Sequence, residues 1–384
     1  MQRFYFDHNA TTPVAPEVLE TVVVCLGQVY GNASSIHHFG QGAKQRLEGA
    51  RRQVASLIHA SPNEIVFTGG GTEADNMAVF GVVRAAARRP AHIITSAIEH
   101  PAILAPCKQL EAEGIAVTRL RAGSGGVVSV EELERSLRPE TVLVSIMHAN
   151  NELGTIQPIA EIARVTRAAG VPLHVDGVQA LGKIPVDVDA LGVDLYSMSG
   201  HKLYAPKGVG ALYIRRGTRI APVTYGGHHE RDRRPGTENV PGIAAFGTAA
   251  DLAARSVAGD AERLGALRDR LENAVLESIP GTGINGARWN RTPNTSNLYF
   301  DGIDGEALVI ALDLRGFAVS TGAACSSGAI APSHVLTAMG LSADRARASM
   351  RFSLGRSNDA AQVDALVEAL KASVTHLRRI SVHA

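Results

Sequence analysis

Between about residue 15 and residue 250 the chain alternates short β-branched runs with longer Ala-, Leu- and Arg-rich stretches, and no other feature constrains the fold as strongly. The strand-forming runs are Glu64–Thr68, His92–Ser96, Val142–Met147, Leu173–Val175, Asp194–Met198 and Gly210–Ile214. Glu73–Arg88, Ala102–Glu113, Val130–Arg138 and Ile159–Ala169 carry apolar residues at helical spacing between them. Strands separated by helices pair in parallel through crossovers, so the pattern predicts an α/β fold with a mostly parallel sheet covered by helices.

Beyond it, Gly226–Gly242 (GGHHERDRRPGTENVPG) is polar, charged and rich in Gly and Pro, which predicts a long exposed loop. Loops of this length in compact domains are usually functional or lie at a contact. A helical stretch from about Pro241 to Ser278 then leads to a strand at Asn297–Phe300, a helix near Glu306–Arg315, a strand at Ala318–Ser320 and a last helix after Asn358. The expected division is a large domain over 15–255 and a smaller α+β domain from 1–14 and 256–384.

With 384 residues, 45% of them hydrophobic, the chain can bury a large core. A net charge of +1 gives no global field to recruit nucleic acid or a membrane surface. The start, MQRFYFDHNATTP, has no apolar signal run, and no segment reaches the roughly 18 apolar residues of a membrane span. A cytoplasmic location is expected. Three cysteines without a CxxC pair neither make a disulfide framework nor match zinc-ligand spacing, and the His37-His38 and His228-His229 pairs lack partners, so no metal site is expected.

Ligands of open α/β sheets sit beyond the carboxyl ends of the strands. Here those ends carry Gly69-Gly70-Gly71-Thr72-Glu73, then Glu99-His100, His148-Ala149-Asn150-Asn151-Glu152, Asp176 with Gln179, and Ser199-Gly200-His201-Lys202. A glycine turn opening a helix offers bare N–H groups to a phosphate. It lacks the GxxxxGK[ST] and GxGxxG patterns, which argues against a nucleotide triphosphate or a dinucleotide. A phosphate cradle, an Asp and a Lys on one rim are what pyridoxal 5′-phosphate requires: an amine for a Schiff base and a carboxylate that keeps the pyridine nitrogen protonated. Each has an ordinary reading as well. Lys202 could be a surface amine, Asp176 a helix cap, His100 an ordinary N-terminal helix residue, and Asn150 and Asn151 turn formers.

Cys25 and Cys107 lie in apolar helical stretches and read as packing residues. Cys325 sits in STGAACSSGA, small residues that favour an exposed mobile loop, where a thiolate could act as nucleophile or the thiol be incidental. In SMRFSLGR, Arg351 offers a fork for a substrate carboxylate, although it or Arg356 could be a surface charge.

The stretches FDHNATTP, GNASSIHHFG, FTGGGTEADN, EHPAIL, HANNELGTIQPI, HVDGVQALGK, SMSGHKLYAPKGVG, GGHHERDRRPGTEN, STGAACSSG and RFSLGR resemble, in order and over essentially the whole chain, the cysteine desulfurases of class V of the fold type I pyridoxal-phosphate enzymes. The long segment between Cys325 and Arg351 is similar to the nitrogenase-type and iron–sulfur-cluster-type group with an extended catalytic loop. The resemblance implies a seven-stranded, mainly parallel sheet in the large domain. It implies that Lys202 carries the Schiff base, Asp176 pairs with the pyridinium and His100 stacks on the ring. Asn151 and Gln179 would bond the ring's phenolic oxygen, and Thr72, Ser199 and His201 the phosphate. Thr237 would reach the phosphate of a neighbouring subunit, which makes the expected assembly a homodimer. Arg351, with Asn151 nearby, would clamp the carboxylate of L-cysteine. Cys325 would take the sulfur as a persulfide, release L-alanine and serve a sulfur-acceptor protein. A selenocysteine lyase or class V aminotransferase would share the cofactor, and a non-catalytic scaffold would share only the fold; Cys325 argues against the aminotransferase, and intact Lys202, Asp176, His100 and Cys325 against the scaffold.

Overall fold

Strand runs that are apolar on both sides have to lie between two helical layers. The computed structural model, which describes residues 2–86, 90–321 and 332–381, has this arrangement. After β1 (Phe4–Tyr5), the strands β2 (Ile65–Thr68), β3 (His92–Ser96), β4 (Ala116–Leu120), β5 (Thr141–Met147), β6 (Leu173–Asp176), β7 (Leu195–Ser199) and β8 (Gly210–Ile214) follow in turn. The last seven form one sheet in the order β2-β8-β7-β6-β5-β3-β4. Only β8 runs against its neighbours, so six strands point their carboxyl ends to one edge, where β8 begins with Gly210 beside Ser199 and Thr68. The α/β expectation holds, and β4 is the strand it missed. As an edge strand with Val117, Thr118 and Arg119 partly or fully exposed, β4 lacks the continuous apolar run of its neighbours.

The helices α1 (Pro16–Gln28), α2 (His38–Leu57), α3 (Gly71–Ala85), α4 (Pro101–Ala112), α5 (Val130–Ser136), α6 (Ile159–Ala168), α7 (Val188–Leu191) and α8 (Val240–Ser278) flank this sheet and extend from it. Alternate side chains of a strand face opposite layers. Ile94, Val144, Met198 and Ala211 accordingly pack with α2 and α8, while Ile93, Leu143, Leu195 and Leu212 pack with α3 and α4. The expected helix Glu73–Arg88 ends at Ala85, and its last two positions lie outside the described residues.

A second apolar cluster holds Phe6, Leu267, Leu271, Phe300, Met350, Phe352 and Leu366. It surrounds the antiparallel strands β9 (Thr282–Ile284), β10 (Thr295–Phe300) and β12 (Ser349–Ser353), with the helices α9 (Gly305–Asp313) and α12 (Ala360–Ser381); the short α10 (His334–Ala338) and α11 (Ala343–Arg347) precede β12. β1 pairs in parallel with β11 (Phe317–Ala318), so the first residues of the chain join this C-terminal cluster. The 39-residue α8 connects both: Ile243–Ala253 contribute to the first core and Leu264–Val275 to the second.

Candidate functional site at the carboxyl edge of the sheet

β2 ends in the turn Gly69-Gly70, where Gly70 has φ 155°, a backbone region that a side chain would strain. Thr68 Oγ1 donates to the Gly70 carbonyl at 2.9 Å, and α3 starts at Gly71 with no side chain capping it. The first N–H groups of this 15-residue helix thus carry its positive end toward an incoming anion. A Cβ on Gly71 would come within 2.8 Å of Val178 Cγ2 and 3.4 Å of Ser199 Cβ, so the lack of a side chain lets the cradle close onto the ends of β6 and β7. Thr72 sits exposed in the first turn, and Ser199 is buried.

Asp176, the last residue of β6, is buried, and its Oδ1 accepts from Val178 N at 3.0 Å. Burial raises its pKa, while the charges of His100 and Lys202 pull it down. His100 is the N-cap of α4, its Nδ1 accepting from Ala102 N at 3.1 Å. The ordinary reading of His100 as a residue at a helix start holds, as its cap, and it coexists with a place close enough to feel Asp176 and Lys202. Burial lowers its pKa, and the cap leaves the neutral ring's proton on Nε2.

Two further buried carboxyls lie around Asp176. Asp75 Oδ1 is 3.6 Å from His174 Nε2, and the His174 ring bonds Ser145 Oγ at 2.8 Å and Ser197 Oγ at 2.9 Å. Glu99 bonds Ser96 Oγ at 2.5 Å and Met147 N at 3.0 Å, and burial pushes its pKa up to about 8. Among the described residues its Oε2 has no partner.

Lys202 Nζ donates to the backbone carbonyls of Asn9 and Ala10, the latter at 2.7 Å. The Asn9 carbonyl also accepts from Gln179 Nε2 at 3.0 Å. Lys183 Nζ bonds Asn9 Oδ1 at 2.8 Å and Gln179 Oε1 as well. Burial drives the Lys183 pKa well down, with the charges of Lys202 and Arg351 acting in the same direction. His201 Nδ1 meets Thr11 Oγ1 at 3.1 Å, and its carbonyl accepts from the hydroxyl of Thr12 at 3.0 Å. Its pKa falls to about 4, chiefly by burial. Asn9 and Lys183 were not singled out from the sequence. Both sit inside stretches that carry the resemblance, FDHNATTP and HVDGVQALGK, and a strand-end rule does not reach them.

Arg351 lies in the middle of buried β12 rather than ahead of an apolar run, 3% exposed. Its Nη2 pairs with Asp7 Oδ1 at 2.6 Å, and its Nη1 donates to the Asn151 carbonyl at 3.0 Å. The Asn151 side chain makes no hydrogen bond among the described residues. Arg356 is instead tied to Asp260 at 2.9 Å and stacked over Tyr204, a packing role. The site thus joins both cores: Lys202, Asp176, His100, Gln179 and Asn151 from the sheet edge, and Arg351 from the C-terminal sheet.

Thr237 is exposed and makes no hydrogen bond among the described residues. Its loop is fixed upstream, where Glu230 receives Arg51 Nη1 and Nη2 at 2.8 and 2.7 Å and Phe67 N at 2.8 Å, deep in the core. Glu230, Arg231 and Asp232 all have positive φ, strain that the buried pair holds in place. Cys325 lies outside the described residues. Cys25 and Cys107 are buried, as packing residues should be, and burial pushes the Cys107 thiol up to about 12.

An uncapped helix start, a buried carboxylate, an amide and a primary amine on one edge can hold an anionic, protonated heterocycle, while Arg351 can hold a carboxylate beside it. Residues 4–366 match the family described as aminotransferase class-V. A cysteine desulfurase of Nostoc sp. (strain PCC 7120) is 47% identical over 381 residues, covering 99% of this chain and 95% of its own length. Among solved structures, a NifS-like protein superposes with a TM-score of 0.92 at 38% identity, covering 98% of this chain and all of its own. SspA in complex with cysteine gives 0.81 at 36% identity, with 91% of this chain and 98% of its own covered.

Proposed function

We infer the chemistry from membership: the chain belongs to the aminotransferase class-V family and is a cysteine desulfurase. It converts L-cysteine to L-alanine and transfers the sulfur to a thiol, for which Cys325 is the candidate. Pyridoxal 5′-phosphate is the cofactor, and when bound it supplies an electron sink for the pair left at Cα as the Cα proton departs. The uncapped start of α3 with Thr72, Ser199 and His201 suits its phosphate, buried Asp176 its ring nitrogen, Gln179 and Asn151 its phenolic oxygen, the His100 ring its face, and Lys202 its aldehyde carbon.

The observation that carries this reading is the convergence of Lys202 and Gln179 on the carbonyl of Asn9 beside Asp176 and His100, with Arg351 reaching Asn151 from the other core. The substrate carboxylate takes the guanidinium of Arg351 by displacing Asp7. Lys202 removes the Cα proton with its amine. The Cys325 thiolate attacks the substrate sulfur, the S–S bond forms, and the C–S electron pair stays on the substrate carbon. The proton of the substrate thiol is delivered to that carbon beside His100 and Lys202 returns a proton to Cα, so alanine leaves and the sulfur remains on Cys325 as a persulfide. Positioning dominates, since thiolate and sulfur must meet within bonding reach.

The exposed apolar residues Leu19, Val23 and Leu26 of α1, with Tyr30, Ile36 and Phe39 beyond it, support a homodimer in which Thr237 serves the neighbouring site. An external sulfur-acceptor protein completes the cycle. Among the described residues no helix is long and apolar enough to cross a membrane. The bridging role of α8 supports a boundary near residue 255 between large and small domains.

Purified protein given cysteine should show a change in its cofactor absorbance and release sulfide and alanine. In Cys325→Ala the absorbance change should survive while sulfide and alanine are lost. A variant as active as the unaltered protein would sink the persulfide route.

A further inference from the structure

The segment leading out of the Cys325 region is held to the site by contacts that no step above uses. Ser333, 3% exposed, donates its hydroxyl to Glu152 Oε2 at 2.6 Å; Glu152 is 2% exposed. His334 Nε2 meets the Glu99 carbonyl at 2.9 Å. The same Ser333 Oγ accepts from Leu336 N at 3.2 Å and so caps α10 (His334–Ala338). Val335 and Leu336 are fully buried against Ile98, Met147 and Leu153. Glu99 and Glu152 are the chain neighbours of His100 and Asn151, so the exit of the Cys325 segment is fixed to the two turns that supply the ring-facing imidazole and the amide.

The Glu152 carboxyl is an expensive choice for an anchor. Burial raises its pKa, with Ser333, His334 and Arg351 acting against that rise. A buried carboxyl is tolerated where hydrogen bonds satisfy it, and a purely structural plug would be served by the apolar contacts alone. The turn that holds Glu152 is itself locked, since Asn150 Oδ1 accepts from Glu152 N at 2.9 Å and Leu153 N at 3.0 Å, and Asn150 Nδ2 donates to the Ile98 carbonyl at 3.0 Å.

We propose that Glu152 and Ser333 are positioning residues for sulfur transfer, a latch that sets where the Cys325 segment leaves the site relative to His100 and Asn151. The proposal rests on Cys325 being the sulfur acceptor, and it concerns the step after the Cα proton has gone. Loss of the latch slows attack by the thiolate and leaves substrate capture by Arg351 and proton removal by Lys202 in place. Glutamine at 152 keeps an acceptor for the Ser333 hydroxyl; alanine does not.

The test uses the full-length holoprotein, with Ser333→Ala, Glu152→Ala, Glu152→Gln and Cys325→Ala. Persulfide formation is followed by rapid alkylation and mass spectrometry, and the cofactor absorbance change by stopped flow. The expected result is a drop of about tenfold or more in persulfide formation for both alanine variants, as for a misplaced reactive group. Their absorbance change and their KM for cysteine should stay within about twofold, and Glu152→Gln should recover most of the rate. Hydrogen exchange of the cofactor-free protein supplies a readout apart from turnover: the α10 amides should exchange faster in both alanine variants. Alanine variants with an unaltered persulfide rate, or with absorbance change and persulfide formation slowed equally, overturn the latch. Persulfide chemistry that survives in Cys325→Ala overturns the underlying reading instead.

Discussion

Glu99 shows how a single buried carboxyl makes stability depend on pH. Its pKa in the folded chain is about 8, against 4.5 for an ordinary glutamate, because burial disfavours the charged form. Between those values the folded state keeps a proton that the unfolded chain has released, so the folded state loses stability as pH rises from about 4.5 to about 8 and is level beyond. Glu99→Gln removes this dependence. In urea titrations of the cofactor-free protein, the variant should gain on the unaltered chain across that interval by an amount on the order of a few kcal/mol. Equal slopes for the two proteins would mean that Glu99 is ionised in the fold. At this scale the sequence spoke clearly where a residue lay at a strand end or within four positions beyond it, as Asp176, Lys202 and His100 do. It was silent on Asp7, Asn9, Lys183 and Asp75, whose roles come from contacts with residues far along the chain.

At the level of elements, the candidate phosphate turn depends on close backbone approach. A Cβ on Gly210 would lie 2.8 Å from Gly70 Cα and 2.6 Å from the Met198 carbonyl, and neither can move as a flexible side chain could. Gly210→Ala should push β8 from the turn that opens α3, an overpacking penalty of about 1–3 kcal/mol. Weaker binding of pyridoxal 5′-phosphate in equilibrium titrations would register it, and unchanged affinity would show that the cradle gives way without loss. In the large sheet the strands legible from sequence were those apolar on both faces, and in the C-terminal sheet the Asn297–Phe300 part of β10 was legible as well. β4, exposed at the edge, and β12, a short mix of serine, methionine, arginine and phenylalanine, were not, because their identity is set by pairing partners rather than by their own composition.

Across the whole molecule, the sheet edge supplies the candidate cofactor residues and the C-terminal sheet supplies Arg351, so neither core makes the site alone. The alternation of elements made the first core legible. The second draws β1 to β11, more than three hundred positions away, and residues of α8 to strands tens of positions on, which local pattern cannot report. If Thr237 serves the neighbouring subunit, a mixture of Lys202→Ala and Thr237→Ala chains, each nearly inactive, should regain activity after exchange, because one site of each mixed dimer is free of both changes. No recovery would confine Thr237 to its own subunit.

The backbone pairing of Ser320 with Arg351, with Ser320 N to Arg351 O at 3.3 Å and Arg351 N to Ser320 O at 2.6 Å, carries a further consequence. It moors the chain five residues before Cys325 to Arg351, the arginine proposed to grip the substrate. Five residues span at most about 17 Å when fully extended. A thiol confined to a sphere of that radius is present at an effective concentration on the order of tens of millimolar. Small thiols added to Cys325→Ala should therefore restore desulfuration only as they approach that range, and rescue at micromolar thiol would show that the mooring gives the native cysteine no advantage.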